Sequence, residues 1–122
     1  MKLDDLIINL ENQKGATLEY PFGDDVMVYK VMGKMYALIG TLDNPKRLNL
    51  KCDPEDAIAY RDIYENVVPG YHMNKKHWNT LYFNKDNSIA DLDIKEMIIE
   101  SYNLVVSKLT KKQKEELKVL YK

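Results

Sequence analysis

Cysteine is almost missing from this chain. Cys52 stands alone in 122 residues, so no internal disulfide can form, in accord with a reducing compartment. The paired Cys-x-x-Cys spacing of zinc sites is missing too, and His72 and His77, the only histidines, lie well apart from Cys52. Neither a metal nor a cofactor is expected from such a set. Long apolar runs are absent, which argues against a membrane-spanning helix. The opening Met1-Lys2-Leu3-Asp4-Asp5 puts acids where a secretory signal needs a basic flank and an apolar stretch. A cytoplasmic protein without membrane contact is the expectation. Phosphate-binding glycine loops, dinucleotide fingerprints and the Gly-x-Ser-x-Gly elbow are also absent, so no catalytic residue is assigned and no enzyme is expected. Asp24-Asp25 reads as a solvated turn, not as a catalytic carboxylate pair.

Neither sign of charge dominates, since the formal net charge is −1. Its distribution says more. Residues 1–25 carry −4 and residues 53–66 carry −4, whereas residues 26–52 carry +4 and residues 67–83 carry +2. The two positive segments are the ones that read as β-structure, and a neutral protein can still present one basic face. Apolar residues make up 45% of the chain, enough for one core and too many for a disordered chain. The length fits a single domain over residues 1–122.

Leu3, Leu6, Ile7 and Leu10 follow the spacing of one apolar helical stripe, which predicts a helix over residues 2–14 ended by Gly15. Tyr20–Asp25 is turn chemistry. Val26–Val31, Lys34–Thr41 and Arg47–Cys52 read as an antiparallel meander, with Gly33 in its first turn and Asp43-Asn44-Pro45 in its second. In the third strand Leu48, Leu50 and Cys52 alternate with Arg47, Asn49 and Lys51, so one face is buried and one is wet. Lys30, Lys34 and Tyr36 are expected to share the wet face. Asp53-Pro54-Glu55-Asp56 starts a helix that runs to about Tyr64. A short extra strand near Val67–Tyr71, a strand His77–Phe83 and a helix Asp91–Ser107 follow. Thr110-Lys111-Lys112-Gln113 has the capping-box form for a last helix docked by Leu117 and Leu120. The fold class is α+β, an antiparallel sheet with helices packed on one face.

Pro21-Phe22-Gly23, Gly33-Lys34-Met35-Tyr36-Ala37, Asn49–Glu55 and the long block Pro69–Thr80 resemble the MmcQ/YjbR family, and the likeness continues through Ser101–Val106. It covers nearly the whole chain, and the Pro69–Thr80 block is the most specific part. The resemblance implies a CyaY-like fold and double-stranded DNA as partner, bound by two β-hairpin wings. A CyaY-like fold invites comparison with frataxin, whose first helix carries a dense acidic ridge. Here that helix offers only Asp4, Asp5 and Glu11, which does not support iron binding.

With that resemblance, the wings map to Gly40–Arg47 and Tyr71–Asn79. Lys34, Lys46, Arg47, Lys51, Lys75 and Lys76 are the expected phosphate contacts. Asn49 lies on the wet face, and Asn74, His77 and Asn79 are the expected directional hydrogen-bonding groups. Blander readings stand beside these. The wet face can be an ordinary solvated sheet with edge lysines. Asn74-Lys75-Lys76 can be a capped turn that sets strand register, with Lys75, Lys76 and His77 exposed and Trp78 buried. Cys52 reads as a small core residue. The alternative function is a protein- or peptide-binding adaptor using the same surface, and the chain is expected to be a monomer.

Overall fold

The computed structural model describes residues 1–42, 45–85 and 89–120. Its elements run α1 (Leu3–Glu11), β1 (Ala16–Glu19), β2 (Val26–Val31), β3 (Lys34–Gly40), β4 (Arg47–Lys51), α2 (Pro54–Ile63), β5 (Val67–Pro69), β6 (Trp78–Tyr82), α3 (Asp91–Ser107) and α4 (Lys111–Leu120). Local chemistry accounts for several boundaries. Asp53 caps α2 by accepting from the Glu55 N–H at 3.1 Å, with Pro54 at the first helical position. Thr110 and Gln113 close a reciprocal capping box at α4, with bonds of 3.1 and 3.0 Å. The β2–β3 hairpin turns on Met32 and Gly33 at φ 48° and 80°, the two positive values that a primed two-residue turn requires.

All strands pair antiparallel in the order β1-β2-β3-β4-β6-β5. One face of the sheet carries the helices. Leu6 and Leu10 of α1 and Ile94, Ile98 and Val105 of α3 pack there on Val31, Ile39, Leu48, Leu50 and Leu81. That burial of apolar area is the main source of stability. The opposite face has its own smaller cluster of Val28, Leu38 and Trp78, flanked by Val26, Met35 and Met73. Met73 belongs to the connection between β5 and β6, which folds back over this second face. The fold-back begins at Gly70, where an added Cβ would lie 2.8 Å from the Trp78 Cβ, so a larger residue does not fit without movement.

The structure corrects the sequence reading in several places. Helix α1 stops at Glu11, and Gly15, at φ 76°, opens the short strand β1, which was not anticipated. Tyr36 is fully buried on the helix side, not on the wet face. Met35 pairs with Lys30 and Ala37 with Tyr29, so Tyr36 is the extra residue of a β-bulge, and the bulge turns its ring inward. The Tyr36 hydroxyl donates to the Leu10 carbonyl at 2.7 Å. Leu117 docks as expected, but Leu120, in the last position of α4, is exposed beyond the packed turns. Among the described residues no helix is long and apolar enough to cross a membrane.

Candidate nucleic-acid interface

Strand alternation places Arg47, Asn49 and Lys51 on the face away from the helices, each half-buried, while Leu48 and Leu50 point into the core. The paired residues Tyr82, Thr80 and Trp78 continue that face on β6. A polar clasp then fastens the β5–β6 connection across it. Thr80 Oγ1 accepts the Tyr71 N–H at 2.8 Å and donates to Asn49 Oδ1 at 2.5 Å. Asn49 Nδ2 donates to the Tyr71 carbonyl at 3.3 Å. Thus Asn49 acts first as a fastener of the loop.

The clasp brings three planar groups together. The Arg47 guanidinium lies 3.8 Å from the centre of the Tyr71 ring, a cation–π contact, and the His72 ring centre is 4.0 Å from that of Tyr71. His72 adopts φ 58°, a backbone strain that the surrounding contacts sustain. Beside the stack opens a cleft of about 230 Å3. Phe22, Val26, Leu38 and Met73 give it apolar walls, and Gly40 leaves part of it bare. Sequence reasoning took Phe22 for a turn residue only. That it lines one cleft with Tyr71 was invisible, because the cleft forms only once the loop folds back.

The remaining sequence-predicted residues divide. Lys34 sits exposed at the β2–β3 hairpin, and Lys46, half-buried, precedes β4 with its N–H donating to Asn84 Oδ1 at 2.9 Å. Lys76 is exposed, and Lys75, also exposed, donates to the Gly70 carbonyl at 3.1 Å. The capped-turn reading of this loop holds: Asn74 Oδ1 accepts the Lys76 N–H at 3.0 Å, and its carbonyl accepts the N–H groups of His77 and Trp78. His77 is half-buried, not exposed, because its carbonyl accepts the Cys52 N–H at the end of β4. Asn79 is the clear correction. It is buried on the helix side and donates to the Ala57 carbonyl at 3.1 Å, so it cannot reach a ligand on the open face. Parity was the available signal, since Asn79 alternates with Trp78 and Thr80 and shares a side with Leu81. Asp43 and Asn44, in the middle of the first expected wing, lie outside the described residues.

Cys52 faces the helices and is buried. Burial, with the carboxylates of Asp56, Glu100 and Asp53 adding to it and Arg61 opposing, pushes its thiol up to about 12. It therefore stays protonated near neutral pH, and burial outweighs the Arg61 charge that would activate it as a nucleophile. His72 lies on the other side of the sheet from it, where it lines the open cleft. Tyr60 donates to Glu100 at 2.7 Å and Tyr64 to Asp93 at 2.6 Å, two ties that fix α2 on α3.

A six-stranded antiparallel sheet with its helices on one side and a folded-back loop on the other defines an α+β domain of known type. The crystal structure of the Deinococcus radiodurans protein DR2400 superposes with a TM-score of 0.85 at 36% identity, over 95% of this chain and 87% of that one. A Pseudomonas syringae protein shares the fold at a TM-score of 0.71 and 24% identity, over 85% of this chain and 98% of that one. The YjbR family model matches residues 11–104. Escherichia coli O157:H7 YbdF is 36% identical over 99 residues, 81% of this chain and 80% of YbdF. YjbR of Escherichia coli K12 is 32% identical over 85 residues, 70% of each chain. The chain belongs to the YjbR family.

Proposed function

We propose that this protein binds DNA on the open face of its sheet, chiefly through phosphate contacts. The observation that carries the reading is the sign of charge on the strands. The charged residues of β2 to β6 are Lys30, Lys34, Arg47 and Lys51, all cationic. The one strand acid, Glu19 of β1, lies 3.5 Å from Lys30. The folded-back loop adds Lys75, Lys76 and two histidines and no acid. Acids concentrate instead on the helices and their caps, as in Asp53, Glu55 and Asp56 of α2 and Asp91 and Asp93 of α3. Such a separation suits a polyanion held away from the helical layer.

In this reading Lys34, Lys46, Arg47, Lys51 and Lys76 meet phosphates, and Asn49 and Asn74 shape the surface without reading bases. No catalysis is assigned to it. The protein acts as a cytoplasmic monomer, where DNA and a reduced thiol coexist. Anisotropy titration of a labelled duplex at several salt concentrations tests it. With about four phosphates engaged, the slope of log K against log salt is roughly −3 to −4. No binding at low salt, at protein up to roughly 100 μM, would exclude DNA. The apolar cleft favours a second reading, a peptide-binding adaptor, whose affinity would tolerate salt.

A further inference from the structure

Arg61 stands in the last turn of α2, yet its side chain reaches the loop between β5 and β6. Its Nε donates to the Ala57 carbonyl at 3.2 Å, one turn back, and its Nη2 donates to the Lys75 carbonyl at 3.1 Å. The same Ala57 carbonyl accepts the Asn79 side-chain amide from β6 at 3.1 Å. One donor of the guanidinium is thus fixed on its own helix while another holds the loop. Lysine, with a single ammonium on a flexible stem, does not offer two donors on one rigid plane.

The Lys75 carbonyl and the Lys76 N–H belong to one peptide unit. Its oxygen accepts from Arg61, and its N–H donates to Asn74 Oδ1 at 3.0 Å. In a trans peptide these two groups point to opposite sides, so side chains holding both keep the plane from turning. The neighbouring residues are tied as well. The Asn74 carbonyl accepts the N–H groups of His77 and Trp78, and the Lys75 ammonium donates to the Gly70 carbonyl at 3.1 Å. Of the two adjacent lysines, Lys75 therefore serves the loop, while Lys76 is exposed on a fixed backbone. A lysine on a loose loop loses backbone freedom when it meets a phosphate, and that loss subtracts from the contact. For Lys76 the backbone is ordered already in the folded chain.

We infer that Arg61 is a positioning residue for DNA binding: from α2 it holds, together with Asn74, the peptide that presents Lys76 to a phosphate. The inference rests on the DNA reading above and deepens it. Arg61 acts here through Lys76 and needs no contact with DNA. Its own positive charge offers a different route to the same affinity, and the two routes separate cleanly. A charge acting at long range contributes whether or not Lys76 is present. A grip on the Lys76 backbone contributes nothing once the Lys76 side chain is gone.

The experiment is a double-mutant cycle on the full-length chain, with Arg61→Gln, Lys76→Ala and both together. Anisotropy titrations of one labelled duplex at several salt concentrations give affinity and salt slope, and thermal melts give stability. Lys76→Ala should flatten the slope of log K against log salt by about one. Arg61→Gln should flatten it by at least about half as much, and the double variant should be no flatter than Lys76→Ala alone. Asn74→Ala removes the other grip on the same peptide. It should reproduce the Arg61→Gln effect, again only while Lys76 is present, and it keeps the test open if Arg61→Gln fails to fold. Additive losses in the double variant would overturn the inference and leave Arg61 as a separate charge. So would an Arg61→Gln or Asn74→Ala chain that melts lower but keeps the parent slope, or a Lys76→Ala chain with an unchanged slope; in each case the other lysines still carry the DNA reading. Failure of the parent chain to bind duplex at low salt would remove the DNA reading itself, and the inference with it.

Discussion

The hydroxyl of Ser101, fully buried on α3, donates to the carbonyl of Tyr36 at 2.6 Å across 65 positions of sequence. The same oxygen accepts the Lys51 N–H at 2.9 Å. The bulge at Tyr36 interrupts the β2–β3 ladder, and the end of β4 passes beyond its last partner on β3. One hydroxyl thus serves a carbonyl and an N–H that the sheet leaves over in a buried place. Ser101→Ala should leave both groups unserved and cost about 1–3 kcal/mol. Ser107→Ala, on the exposed end of α3, should cost less than about half a kcal/mol. Urea melts of the two variants compare them, and equal stabilities would show that water replaces the hydroxyl.

Strand β4 offers a sharper test of which side faces what. Leu50 is 2% exposed in the core, so Leu50→Ala should cost roughly 2–5 kcal/mol. Lys51→Ala should stay within about half a kcal/mol. Arg47→Ala should fall between them, at no less than about 0.5 kcal/mol, because its guanidinium rests on Tyr71. Thermal melts with near-ultraviolet dichroism, which reports on the tyrosines, would check this ranking. An Arg47→Ala variant indistinguishable from Lys51→Ala would mean that the stack contributes nothing to holding the loop.

These two sites show what the sequence could and could not convey. The alternation Arg47–Lys51 was legible because each residue type keeps to one side. The whole of α3 was legible from its apolar spacing, and both helix caps from their side chains. Tyr36 was not legible, because Met35 to Ile39 is unbroken apolar sequence in which a bulge leaves no mark. Strand β1 was missed because Ala16-Thr17-Leu18-Glu19 is short and exposed, and it forms only by pairing with β2. The cleft is lined jointly by Phe22 and a loop some fifty positions away, a relation that tertiary folding alone creates.

Alkaline pH should destabilise the fold by a route that begins at Cys52. An unfolded thiol ionises near its ordinary value of 9.0, whereas burial holds the folded one up to about 12. Between these values the unfolded chain releases a proton that the folded chain keeps, so deprotonation favours unfolding. The stabilisation is fully present below about pH 9 and is lost as pH rises toward 12. Tyr29, Tyr36 and Tyr60 are also raised, first of all by burial, and extend the loss above pH 10. Denaturant melts at about pH 8 and about pH 10 should show a smaller pH effect in Cys52→Ala than in the parent chain. An unchanged effect would place the early loss elsewhere. Iodoacetamide should label Cys52 slowly in the native protein and readily in urea.

The functional reading makes its firmest prediction at Lys51 and Lys76. Both belong to the basic face or to the loop folded over it, and neither ammonium group has an ion-pair partner among the described residues. Lys75 differs, because its ammonium group donates to the Gly70 carbonyl and helps to hold the loop. Replacing Lys51 and Lys76 together by Ala should therefore leave the fold intact and remove up to two phosphate contacts. The slope of log K against log salt should flatten by about one to two. Affinity should fall by similar factors on unrelated sequences, since phosphate contacts carry no direct base information. Lys75→Ala should instead act through the loop, with a lower melting temperature and little change of slope. Anisotropy titrations of one duplex and one unrelated duplex, each at several salt concentrations, read both quantities. An unchanged slope in the double variant, with binding intact, would move the phosphate contacts to Lys34, Lys46 and Arg47 and take the folded-back loop out of the DNA surface.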